Sequence, residues 1–299
     1  MRVAILGCGY VGTELGRRLT VAGHEAIGVR RSPEGRRAIE TAGMIPIAAD
    51  LTDPGSVGDI PDVDCLVYTA SPSARTPEAA RRIYVEGLRT VWEAFAARAD
   101  PPDRLIFTSS TAVYGDQDGN WVTEQTPVST SGTRGETLVT AERVVQSADR
   151  MAGTVVRLAG IYGPTRYRID RLLERPVTPG HRNLIHRDDA AGILAHLIET
   201  DRRRTGVLLA VDTDPVAKRE FVDWLAAALD VDPPPTVTVA ERIDGSELSA
   251  AAIQRLRADK RCANEGVREL GYEYDYPTFR EGYRPAILAR TGRMSRDDG

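Results

Sequence analysis

The six residues Gly7-Cys8-Gly9-Tyr10-Val11-Gly12 constrain this chain more than any other stretch. They follow the apolar run Val3-Ala4-Ile5-Leu6 and open a segment, Thr13 to Val21, whose apolar residues recur at helical spacing. Strand, glycine turn and helix in that order form the setting of a dinucleotide-binding loop. Gly7 permits a tight turn, Gly9 lets backbone approach a pyrophosphate, and Gly12 lets the helix pack closely on the strand. Tyr10 and Val11 then occupy the start of a helix whose unpaired N–H groups and partial positive charge favour phosphate. Glycines also serve purely structural turns, so the meaning of the loop depends on the rest of the chain.

Downstream of the loop, short apolar runs alternate with helical patterns. Residues 26–29, 45–49, 65–69 and 105–108 read as further strands. A long amphipathic segment spans 77–97, with Ile83, Leu88, Val91, Trp92 and Phe95 on its apolar face. A helix at 136–146 precedes a strand at 154–158. This βαβ series predicts an α/β fold, a Rossmann-like doubly wound parallel sheet with right-handed crossovers. After Gly163-Pro164 the pattern breaks into an arginine- and proline-rich excursion at 164–185, read as a loop or short helix. A helix at 188–199 and a strand at 207–211 resume it. A helix at 221–229 ends before Pro233-Pro234-Pro235, and another fits 248–258. The predicted organisation is a dinucleotide-binding domain at 1–163, rejoined by 184–212. A smaller C-terminal substrate lobe takes 164–183 and 213–289, and a flexible tail takes 290–299.

Composition narrows the function classes. The chain has 299 residues, 41% of them hydrophobic and 27% charged, with a net charge of −4. That balance provides no basic field for nucleic acid. Cys8, Cys65 and Cys262 show neither metal spacing nor a paired framework, and no metal site is predicted. Cys8 and Cys65 sit in apolar runs and read as small buried hydrophobes. The first apolar run is too short for a signal peptide and no run approaches the length of a membrane span, so a reduced, cytoplasmic protein is expected.

The end of the second strand selects the cofactor. An acidic residue there would bind the ribose 2′-OH of NAD, and an arginine accommodates the 2′-phosphate of NADP. Val29 is followed by Arg30-Arg31-Ser32, with no carboxylate before Glu34. A planar guanidinium suits a phosphate, so NADP is favoured and NAD remains open. Asp50-Leu51, after the third strand, places a carboxylate near an adenine amino group or else in an ordinary turn. Ala70-Ser71 closes the fourth strand at the lip where a dinucleotide would lie.

Four segments together carry a family resemblance over about residues 1–285. They are GCGYVG at 7–12, FTSSTAVYG at 107–115, RLAGIYGP at 157–164 and NLIHRDDAA at 183–191. The chain resembles the extended branch of the short-chain dehydrogenase/reductase superfamily, the NAD-dependent epimerases and dehydratases. The resemblance implies that Ser110 binds a substrate carbonyl and shares acid/base work. It also implies a YxxxK motif some 20 to 30 residues later, with a glutamate four residues beyond the lysine. Anchored on Glu142, that alignment puts Arg134 at the tyrosine and Leu138 at the lysine. The chain holds only two lysines, Lys218 and Lys260, and neither has a tyrosine four residues before it. Tyr84 replaces the asparagine of the VNxxG-like helix motif, and Gly160 replaces the asparagine of RxFNxYGP. The pattern resembles the atypical members that keep the cofactor site and lack the dyad.

Chemistry without the dyad needs another donor or an electrostatic clamp at the developing alkoxide. Ser110 and Thr111 offer hydroxyls, Tyr114 a phenol, and Arg134 a permanent charge that can stabilise an oxyanion without acting as a base. His186 titrates in a useful range, or else makes a structural hydrogen bond at a helix start. Arg166, Arg168, Arg171, Arg175 and Arg182 cluster in the excursion, suited to a small anionic substrate or to solvated surface. Two readings result: an NADP-dependent oxidoreductase or epimerase-like enzyme with a replaced acid/base group, or a catalytically inactive NADP(H)-binding sensor. The resemblance also implies a homodimer through the helices at 77–97 and 136–146.

Overall fold

The first strand, Arg2–Leu6, is buried on both faces from Val3 onward because helices cover the sheet above and below it. It pairs in parallel with Glu25–Val29 on one side and Cys65–Tyr68 on the other. Ile45–Ile47 extends one edge. Arg104–Ser110, Ala152–Leu158 and Gly206–Ala210 extend the other, all in parallel. In sequence order of the strands the sheet reads 7-6-5-4-1-2-3, with its switch point between strands four and one. The computed structural model describes residues 1–130, 132–200 and 204–292.

The glycine loop opens at that switch point. Gly7 has φ +78°, and a Cβ on it would lie 2.3 Å from the Cα of Ala70 at the end of strand four. Two chain ends therefore meet with no side chain between them, which only glycine permits.

The segment at 77–97 is amphipathic as predicted, but it is not one uniform helix. Pro77–Arg81 and Leu88–Ala96 are α-helical, and Arg82–Gly87 between them forms a wide π turn. The Tyr68 hydroxyl donates to the Ile83 carbonyl, and a Cβ on Gly87 would lie 2.7 Å from that same hydroxyl. A buried phenol inserted into the hydrogen-bond ladder accounts for the extra residue in the turn.

The helix Thr133–Gln146 begins three residues earlier than predicted, which brings Arg134 into its first turn. Strand three stops at Ile47, two residues short of its predicted end, and the chain turns toward Asp50. The excursion at 164–185 contains the short helix Ile169–Leu173 and the strand His181–Arg182, which pairs with Val216–Ala217. A second apolar cluster forms here, with Tyr162, Phe221, Leu225, Phe279 and Tyr283 at its centre. The helix Phe279–Thr291 continues past the predicted boundary at 290, and 293–299 lie outside the described residues.

One polar network is embedded in the main core. Arg157, on strand six, pairs with Glu142 at 2.6 Å, and both side chains are almost wholly buried. Ser109 Oγ donates to the same carboxylate, and Arg157 also donates to the Tyr114 hydroxyl at 2.7 Å. That hydroxyl in turn donates to the Thr123 carbonyl. Strands five and six, the helix at 133–146 and the loop beyond Tyr114 are thus tied through four side chains. Removing one partner of a buried pair leaves an uncompensated charge. Arg157→Met is therefore expected to cost about 3–5 kcal/mol in urea denaturation, and the double variant Arg157→Met/Glu142→Gln is expected to recover much of that loss.

Candidate functional site

The loop residues lie at the carboxyl ends of the strands, where the doubly wound fold places its ligand crevice. The helix Tyr10–Val21 starts at Gly9 with no side-chain cap and no acidic residue in its first turn. Its first N–H groups are left to water or to an anion, which fits the predicted pyrophosphate site. Val11 and Gly12 are buried against the sheet.

Arg30 folds back over the loop. Its Nη1 donates to the Cys8 carbonyl at 3.2 Å and lies 2.9 Å from where a Gly9 Cβ would be. It has no carboxylate partner among the described residues. Arg31 points away and pairs with Asp50 at 3.2 Å. Ser32 caps the helix Pro33–Thr41 by accepting from the Gly35 N–H. Asp50 accepts from the Thr52 amide and hydroxyl at 3.0 and 2.8 Å. Partial burial acts to raise its pKa, but those hydrogen bonds and Arg31 outweigh it and hold the carboxyl below its ordinary value. Asp50 is thus engaged in the turn at 50–52. Leu51 and Ala70 are buried, and Ser71 is exposed at the lip.

The candidate catalytic residues separate into exposed and committed groups. Ser110, at the end of strand five, is half-buried and accepts from the Ala112 amide at 3.2 Å. Thr111 beside it is buried. Tyr114 does not offer the free phenol predicted for it: it is 0% exposed, and its hydroxyl is held between Thr123 and Arg157. The reason is legible in the packing, since the tight turn Thr111–Tyr114 folds the ring inward beneath the Glu142–Arg157 pair.

Arg134 is exposed, and it lies close enough to the Tyr84 hydroxyl of the π turn for its charge to act on that group. Burial raises the Tyr84 pKa and the Arg134 charge opposes that rise. Leu138 is 1% exposed and fills apolar space on the buried face of the helix Thr133–Gln146. Arg134 and Tyr84 are therefore neighbours in the fold. Sequence spacing does not place them together, because they lie on separate segments that pack against each other only in the folded structure.

Arg166, Arg168, Arg171, Arg175 and Arg182 line a single cavity of about 470 Å³, joined by Lys218, Arg242 and Arg255, and no Asp or Glu lines it. Arg171 is held below its ordinary pKa by Arg175, then by burial, then by Arg168. Burial lowers Arg182, whose Nε has no partner among the described residues. A larger concavity of about 780 Å³ involves Asp103, Ala152 and Gly206. These residues sit at the amino ends of their strands, opposite the cofactor crevice.

Among the described residues no three His, Cys, Asp or Glu side chains gather as a metal site. The three cysteines are buried and unpaired. Among the described residues, no helix is long and apolar enough to cross a membrane.

The family model for the NAD dependent epimerase/dehydratase family matches residues 3–206. The chain belongs to this family. It is 26% identical to the protein YeeZ of Escherichia coli K12 over 92% of this chain and 96% of YeeZ. A solved structure from Methylobacillus flagellatus, assigned to the NAD-dependent epimerases/dehydratases, is 29% identical. It covers 98% of this chain and 99% of its own, with a TM-score of 0.76. The human epimerase family protein SDR39U1, solved with NADPH, shares the fold at 20% identity and a TM-score of 0.78, covering 96% of this chain and 99% of its own.

His186 is 1% exposed, and its Nδ1 accepts from the Asp188 amide at 3.3 Å at the start of the helix Arg187–Thr200. Its ring packs on Tyr276 at 3.8 Å between centroids. Burial pushes its pKa down to about 4. The folded state therefore binds fewer protons than the unfolded chain between about pH 4 and 6.5. Its contribution is present above the unfolded value and is lost as pH falls through that window. Denaturant melts are expected to show wild type losing about 2 kcal/mol more than His186→Gln on going from pH 7 to pH 5.

Proposed function

We propose that this protein is an NADP-dependent oxidoreductase, or an epimerase-like enzyme, acting on a small anionic substrate that carries a carbonyl or hydroxyl group. The observation that carries the cofactor choice is Arg30, a guanidinium with no carboxylate partner among the described residues, lying over Gly9 at the end of strand two. An acidic residue in that place would repel a 2′-phosphate, whereas a planar fork can bind it bidentately. A three-thiol complement that is buried and unpaired supports a reducing, cytoplasmic location. A homodimer through the helices at 77–96 and 133–146 belongs to the same reading and is checked by light scattering.

A bound nicotinamide supplies hydride exchange, and the protein's own groups must manage the charge on oxygen. The Ser110 hydroxyl, half-buried at the strand end, is positioned to donate to a carbonyl oxygen. The Arg134 guanidinium stabilises a developing alkoxide by its charge and serves no acid/base step. The cations lining the 470 Å³ cavity other than Arg166 compensate the negative charge of the substrate.

A second reading, a catalytically inactive NADP(H) sensor, draws on Leu138 and Tyr114, which are buried where proton-transfer groups would be needed. Consumption of NADPH across an aldehyde, ketone and sugar panel, abolished by Ser110→Ala, favours the enzyme; binding without consumption favours the sensor. For the cofactor itself, Arg30→Asp is expected to weaken NADPH roughly 10- to 100-fold in calorimetry while leaving NADH unchanged or tighter. Wild-type preference for NADH would refute the assignment.

A further inference from the structure

The cofactor's diphosphate bridge carries two negative charges, and a helix N-terminus offers only about half a positive charge against them. Arg30 is assigned above to the 2′-phosphate and Arg31 is paired with Asp50, so the bridge calls for a further cation. Further cations lie against the first residue of the glycine-loop helix. The Arg166 guanidinium carbon lies 3.9 Å from the Tyr10 ring centroid, and Arg187 lies at 5.4 Å from the same ring. Arg187 is already neutralised by Asp188 at 2.7 Å. Arg166 is exposed and has no carboxylate partner among the described residues.

Residues 163–168 bring Arg166 there as a strap. The Tyr10 hydroxyl donates to the Pro164 carbonyl at 2.7 Å, which ties the strap to the glycine loop across 154 positions of sequence. The Tyr283 hydroxyl donates to the Tyr167 carbonyl and ties its other end to the second apolar cluster. Between these ties Gly163, Thr165 and Arg168 all have positive φ, at 132°, 66° and 55°. Two non-glycine residues held left-handed within four positions are backbone strain of the kind that collects at ligand clamps. Gly163 is wedged in place as well, because a Cβ there would come within 2.9 Å of His186 Nε2, a buried nitrogen with no partner among the described residues.

We propose that Arg166 is a cofactor-binding residue that contacts the diphosphate beside the helix N-terminus. The assignment rests on the dinucleotide reading above, and it differs from Arg30 in what it recognises. Arg30 reads a phosphate present only in NADP, whereas Arg166 reads a group common to both dinucleotides.

Fluorescence titrations of the full-length protein with NADPH, NADH and adenosine 2′-monophosphate separate these roles. Arg166→Ala is expected to weaken NADPH and NADH by the same factor, about tenfold for a lost charge-assisted bidentate contact. Binding of adenosine 2′-monophosphate, which has no diphosphate, should be unchanged. Arg166→Lys should recover part of the loss, since it restores charge without the fork. The inference is overturned if Arg166→Ala binds both dinucleotides within about twofold of wild type, or if adenosine 2′-monophosphate weakens equally. It is also overturned if the variant's only loss is in pyrophosphate binding to the NADPH-saturated protein, which would put Arg166 in the substrate cavity. Wild-type protein that binds neither dinucleotide would instead remove the cofactor reading, and this inference with it.

Discussion

The contact between Gly7 and Ala70 is the constraint on which the rest of this structure depends. Strands one and four end side by side at the switch point, and the chain leaving strand one must cross the end of strand four without a side chain between them. The turn this forces at Gly7 aims the helix Tyr10–Val21 so that its uncapped end faces the crevice. Arg30, Ser71, Ser110 and the strap at 163–168 then converge on that end because each sits at or just past the carboxyl end of a parallel strand or of its short continuation. Shifting the turn would move the anion-binding end of the helix away from all of them.

The polar groups on and around the helix Thr133–Gln146 share one physical arrangement. Glu142 remains in place but is spent on Arg157, so the carboxylate is a structural counter-ion within the core. Leu138 keeps its position on the buried face of the same helix and makes that face apolar. Tyr114 is drawn inward by the same ion pair. The remaining free charge is displaced outward, to Arg134 at the helix start and to the arginine-lined cavity. Exposed arginines are thereby left beside groups that are buried and already hydrogen-bonded.

Much of the architecture is legible in the sequence because its signals are local. Alternating apolar runs locate every strand of the sheet to within a few residues, and glycine spacing locates the loop. The interior of 77–97 is less legible: the π turn arises from the Tyr68 hydroxyl, a residue on another strand, and the helical periodicity of the segment is silent about it. Tyr114 departs from its sequence expectation for a related reason. Its place in the VYG motif suggests a position near the site, but its burial depends on Arg157, 43 residues away. An arginine within the strand at 154–158 is the one available signal, since a charge in a buried strand requires a partner.

The sequence by itself determined the doubly wound sheet and the glycine loop that opens it, because both are written in short-range spacing and residue identity. The tertiary structure decided which of the remaining polar groups are free. It buried Tyr114 and Glu142 in a network, brought Tyr84 to Arg134, gathered the excursion's arginines around one cavity without a carboxylate, and laid Arg166 on Tyr10. The physical reason is that the availability of a charge or a proton depends on its neighbours in space, and here those neighbours are tens to hundreds of residues distant along the chain.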